Sequence, residues 1–229
     1  MSSIALRTYL RYLVPLTLLS ALVMSPWVNA ALTSDMPKTA EQARALIALA
    51  WKCGATAWIA QLLLVAAAAP AARSLVAGPA LSQSRALVRG VAAMLRALVP
   101  VALAVAAIAI GALALVLPAL ALLVLLSLTG ASPDGAPSQR LRDSIASVRT
   151  RVVPVAAVVL AMVAFDVALV LLAKRFTTTP LPKKPTPAEL ATYRHLLDIV
   201  VIGIVIASPI AASALAALRA QRELRPSVT

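Results

Sequence analysis

Residues 97–130 read ALVPVALAVAAIAIGALALVLPALALLVLLSLTG, 34 positions without one charged side chain. At 1.5 Å per residue a single helix of this length would run roughly 50 Å, well beyond the ~30 Å apolar core of a bilayer. Two short helices, 97–112 and 115–129, broken between Gly111 and Pro118, would instead form a tight hairpin returning to the face it left. The flanking charges favour the hairpin. With it, 13 Lys and Arg fall on the starting side and 7 on the other; a single crossing gives 11 and 9. Basic residues collect on the cytoplasmic side of membrane proteins, so the starting side is read as cytoplasmic.

The rest of the chain has the same character. Of 229 residues, 62% are hydrophobic and 13% charged, whereas a soluble domain is about half apolar and a quarter charged. Outward from the hairpin, further apolar runs at 12–32, 45–69, 152–173 and 196–218 are each about a bilayer long. The expectation is an all-α, polytopic integral membrane bundle, a single domain over 1–229. It has about six membrane segments and both termini cytoplasmic, in the cell (inner) membrane. The first run also fits a cleaved signal peptide: basic Arg7 and Arg11, apolar Leu13 to Met24, then the small-residue site Val28-Asn29-Ala30.

Thr39-Ala40-Glu41-Gln42 and Thr186-Pro187-Ala188-Glu189 read as helix starts of the capping-box type. The second run is expected to stop at Pro70, and a kink is expected at Pro209. Phe176 to Pro185 reads as an extended, Pro-rich loop. On the last run, Gly203, Ala207, Ala211 and Ala214 make a small-residue stripe suited to close packing within the chain.

A net charge of +13 invites a nucleic-acid reading. The basic residues sit almost entirely between apolar runs, however, so lipid is the expected partner and nucleic acid is not. Arg85, Arg89 and Arg96 lie within about 40° of one another on a helix, a basic stripe for anionic headgroups or for a solvated helix face. Leu141, Ile145, Val148 and Val152 recur at helical spacing, with Arg140, Asp143, Ser144, Ser147 and Arg151 on other faces; Arg149 follows directly on Val148. That pattern suits an amphipathic helix lying on the cytoplasmic surface or packed under the bundle. These six arginines are the candidate contacts to lipid or to an unknown membrane or cytoplasmic protein partner.

Charges inside spans are costly and mark candidate sites. Lys52 and Asp166 each fall about 10 Å below the outer surface in the hairpin topology, so they are expected to pair. Asp198 and His195 sit above them, completing a candidate polar cluster. No zinc-binding His-Glu-x-x-His, nucleophile elbow or phosphate-binding glycine loop is present, and no cofactor or metal is expected. Asp166 and Asp198 on consecutive spans resemble the paired aspartates of intramembrane aspartyl proteases, without the Gly-x-Gly-Asp setting of that family. The single Cys53 excludes an intrachain disulfide.

Arg85 to about Leu160, a third of the chain, resembles the membrane domain attached to some bacterial glycerophosphodiester phosphodiesterases and related six-span proteins. The resembling features are the basic lead-in Arg85 to Arg96 and the apolar hairpin with Gly111 and Leu117-Pro118-Ala119-Leu120. Leu141-Arg142-Asp143-Ser144 and Val148-Arg149 follow. The resemblance implies a helical bundle with a central hairpin and no catalysis, because the phosphodiesterase chemistry belongs to a separate soluble domain. The expected role is a non-enzymatic accessory or scaffold component. The alternative is a small-solute or ion transporter or channel using the polar cluster.

Overall fold

The structure, a computed structural model, describes residues 3–132, 135–178 and 186–223. Among them the chain is helical, with no strand: α1 (Ser3–Arg11), α2 (Leu13–Val23), α3 (Ser25–Thr33), α4 (Ala40–Ala77) and α5 (Gln83–Ala114). After these come α6 (Val116–Leu126), a 3-10 turn (Thr129–Ala131), α7 (Pro137–Arg149), α8 (Val152–Thr178) and α9 (Pro187–Glu223). Four helices, α4, α5, α8 and α9, are long and apolar enough to cross a membrane; the bent pair α2 and α3 makes a fifth if it counts as one span. At 11 residues, or roughly 16 Å, α6 is too short to cross by itself.

The central pair is α4 and α9, whose apolar stretches are 61% and 56% buried against 33% for α5 and 28% for α8. Ala43, Ala50 and Ala57 recur every seven residues along one face of α4. They pack with Leu46 and Ile47 against Leu190, Leu197, Val200 and Ile204 of α9. Alanine lets the two backbones approach closely, which is how helices associate in lipid. Further along, Leu64 to Ala69 are all buried, so α4 is surrounded on every side there. This run of alanines gives neighbours room: Gly90 of α5 sits over the Ala67 carbonyl, and Gly130 lies against Leu62 and Ala66. The Gly203–Ala214 stripe meets α8 instead. Gly203 faces Phe165 and Leu169, and the three alanines border a gap between the helices.

Several boundaries differ from the sequence reading. The first run is broken at Met24, where α2 and α3 meet at 78°. Pro26 opens α3, and a proline, lacking N–H and clashing with the carbonyl four residues back, ends the preceding helix. Helix α4 does not stop at Pro70 but continues to Ala77. Burial among neighbouring helices maintains an interrupted helix that water would unwind. The basic stretch before Ala97 is no separate interfacial helix, since α5 carries it straight into the apolar run. Phe176 to Thr178, expected as loop, end α8, and 179–185 lie outside the described residues.

Both predicted caps form. Thr39 Oγ1 accepts from Gln42 N at 3.2 Å, and Gln42 Oε1 accepts from Lys38 N at 2.7 Å, one residue earlier than the usual reciprocal bond. At α9, Glu189 N donates to Thr186 Oγ1 (3.3 Å) and Thr186 N donates to Glu189 Oε2 (2.7 Å), a complete capping box. The Thr186 backbone N–H and then its hydroxyl, both donating to this carboxylate, hold the Glu189 pKa below its ordinary value.

Leu115 is extended between α5 and α6, and α6 packs back along α5 with Ala119 and Leu122 over Gly111. Helices α7 and α5 are joined where Arg140 Nη1 donates to the Arg96 carbonyl at 3.3 Å. The same end of the bundle holds the α4–α5 connection, α7 and the last turn of α9, joined by Arg73–Glu223 and by Arg219 Nη1 to the Asp143 carbonyl (3.3 Å). Tyr12 joins them there, its hydroxyl donating to the Leu81 carbonyl at 3.0 Å. The opposite end holds Ala31 to Lys38 and Arg194, whose Nε donates to the Ser34 carbonyl at 3.1 Å.

Candidate functional site

Inside the apolar layer the structure pairs Asp166 with Gln61. Gln61 Nε2 donates to Asp166 Oδ1 at 3.1 Å, and both side chains are buried. Two acceptors remain without a partner among the described residues, Gln61 Oε1 and Asp166 Oδ2. The pair sits where α4 and α8 meet, between two largely apolar cavities. One, about 360 Å³, reaches Gln61 between α8 and α9; the other, about 300 Å³, reaches Asp166 and is walled by α5 and α6.

The expected Lys52–Asp166 pair does not form, and Lys52 is exposed. The expectation rested on depth and left azimuth out. Asp166 packs on the side of α4 that carries Gly54, whose added Cβ would stand 3.8 Å from the Asp166 carbonyl oxygen. At 100° per residue Gln61 returns to within about 20° of Gly54, while Lys52 lies about 160° away. Asp198 is also separate from Asp166: it pairs with Arg194 one turn earlier on α9. Arg194 in turn donates to the Ser34 and Ala31 carbonyls, tying the end of α3 to α9. The carbonyls left open at the end of α3 find a donor in this way. His195 is exposed. Lys52, Asp166 and the Asp198–His195 turn of α9 are therefore not brought into one cluster, and Gln61, a polar residue within an apolar run, is the partner of Asp166 that sequence reasoning passed over.

The basic candidates divide. Arg85, Arg89, Arg96 and Arg149 are exposed. Arg140 is only 7% exposed and so is no open contact for lipid. Arg151 is half-buried, with Nη1 donating to Gln221 Oε1 (3.2 Å) and the Leu218 carbonyl (3.4 Å). The reason is the orientation of α7. Its inward face carries Arg140, Ser144, Ser147 and Val148, whereas Leu141 and Ile145 are only half-buried and Val152 is exposed. Ser144 Oγ donates to the Leu125 carbonyl (2.7 Å) and accepts from Leu128 N (3.2 Å), closing the C-terminus of α6. Ser147 accepts from Arg222. Of the two placements open for this helix, the one packed under the bundle is found, and polar bonds to neighbouring helix ends hold it there.

No known protein family, curated protein or solved structure matches this chain. The likeness to the phosphodiesterase membrane domain thus stands on the quoted residues alone.

Proposed function

We propose that this protein is a non-enzymatic multi-pass component of the cell (inner) membrane, an accessory or scaffold subunit. In this reading residues 97–130 form a membrane hairpin, both termini are cytoplasmic, and the basic end meets anionic lipid or a protein partner. One observation carries it: the exposed stripe of Arg85, Arg89 and Arg96 continues without a break into the apolar part of α5. Each such residue near an anionic surface contributes about 1 kcal/mol. Purification of the tagged full chain from its own membranes in mild detergent tests the partner. A near-stoichiometric co-purifying protein is expected, falling about tenfold when Arg85, Arg89 and Arg149 are all changed to Glu. Recovery of the chain with nothing above a tag-only control would contradict the scaffold role.

A transporter is the second reading, favoured by Gln61 and Asp166 standing between two cavities. It requires proton or cation flux in proteoliposomes that is lost in Asp166→Asn. A wild-type protein without such flux removes it.

A further inference from the structure

At the basic end a third cavity, about 270 Å³, lies between α4, α5, the 3-10 turn and the start of α7. Arg73, Arg89, Arg96 and Arg140 all line it, brought together from three helices. Arg73 has a carboxylate counterpart, with Nε 2.8 Å from Glu223 Oε2. The other fork of Arg73 donates to the Ala131 carbonyl, so this residue frames the wall. Arg140 is buried and fixed by the Arg96 carbonyl. Arg89 and Arg96 have no carboxylate partner among the described residues.

Converging guanidinium groups repel one another unless an anion lies among them, and a polar group out of water carries a desolvation penalty until it is bonded. Ser132 supplies such a group: it lines the same cavity, and its Oγ is buried with no hydrogen-bond partner among the described residues. The floor, Ala66, Ala69 and Pro70, offers no carboxylate to compete.

We propose that this cavity binds a phosphate group. Guanidinium forks match a tetrahedral oxyanion through paired N–H donors, and a serine hydroxyl adds one more. The volume falls below the ~300–1,000 Å³ of pockets for drug-sized ligands, which suits a headgroup-sized anion. Arg96 directly precedes the uncharged run, so the cavity lies where apolar helix gives way to polar surface. A lipid phosphate and a free phosphate share this chemistry. The inference rests on the proposed orientation of the basic end toward anionic lipid.

Thermal unfolding of the detergent-purified full chain, titrated separately with dioctanoyl phosphatidic acid, dioctanoyl phosphatidylcholine and inorganic phosphate, tests it. Saturable stabilisation by phosphatidic acid, stronger than by phosphatidylcholine, assigns a lipid source; saturation by inorganic phosphate at equal or lower concentration assigns a soluble one. Arg89→Gln and Arg96→Gln should each weaken binding about tenfold, the scale of a lost charge-assisted hydrogen bond, and Ser132→Ala about threefold. Arg85→Gln, on the same stripe but outside the cavity, should leave it unchanged. If Arg85→Gln weakens binding as much as the other two while Ser132→Ala has no effect, the charge attracts anions diffusely. The cavity proposal then falls while the reading of the basic end stands. If neither phosphate ligand saturates, the cavity proposal also falls, whereas the scaffold role is judged separately by the co-purifying partner.

Discussion

Valine in place of Gly130 is expected to lower stability by about 3 kcal/mol, the upper part of the usual overpacking range. A Cβ at this position would stand 3.0 Å from Ala66 Cβ, 3.1 Å from the Leu62 carbonyl oxygen and 3.3 Å from Ala66 N. Two of these atoms are backbone of the central helix, whose backbone cannot give way as a flexible side chain would. The 3-10 turn must lift off α4. With it go the Arg73 bond to the Ala131 carbonyl and the Ser144 bonds that close α6. For a chain of this size the change corresponds to a melting temperature roughly 10 °C lower, read by thermal unfolding in detergent. Gly130→Ala should fall between wild type and valine. A valine variant melting within a degree of wild type would show that the turn is not seated on α4.

The second large effect concerns Gln61 and Asp166. Gln61→Leu removes the bond to Asp166 Oδ1 and leaves a buried carboxyl group without a partner, at a cost of about 2 kcal/mol. Asp166→Leu introduced into that background should recover most of the loss, because replacing both members of a buried polar pair by apolar groups is nearly neutral. Lys52→Ala should stay within about 0.5 kcal/mol of wild type and be additive with Asp166→Leu, since Lys52 is exposed and on the far side of α4. Coupling between positions 52 and 166 above about 1 kcal/mol would restore the ion pair that the structure separates.

These two cases show where the sequence was readable and where it was not. Apolar runs, and the threonines that begin α4 and α9, carry local signals that need no knowledge of neighbours. The depth assigned to Lys52 and Asp166 likewise used only helical rise, which is local. Which way each side chain faces depends on packing partners, and Gly54, which lies against Asp166 and Val170 of α8, marks the relevant side of α4. The break at Met24 was in principle legible in Ser25-Pro26. Pro70 was not, because burial among other helices overrides its effect.

For helix α7 the sequence leaves two placements open, on the membrane surface or packed under the bundle, and the structure has the second, with Arg140, Ser144 and Ser147 turned inward. The Arg96 carbonyl, four residues before Pro100 and so without an intrahelical N–H, and the Leu125 carbonyl at the end of α6 both require donors, which side chains of α7 provide. Which neighbour supplies such a donor is settled only once the helices have been brought together. Of the candidate basic contacts, Arg85, Arg89, Arg96 and Arg149 are exposed, while Arg140 and Arg151 bond to carbonyls of neighbouring helices.

The account depends most on residues 97–130 leaving and re-entering the same side of the membrane. Cysteines introduced at the exposed positions Ser84 and Ser138, one at a time, can be labelled with an impermeant maleimide from either side of sealed vesicles, with buried Cys53 silent to the probe. Labelling of both from the same side is the predicted result. Reaction from opposite sides would contradict the hairpin, and with it the common basic end.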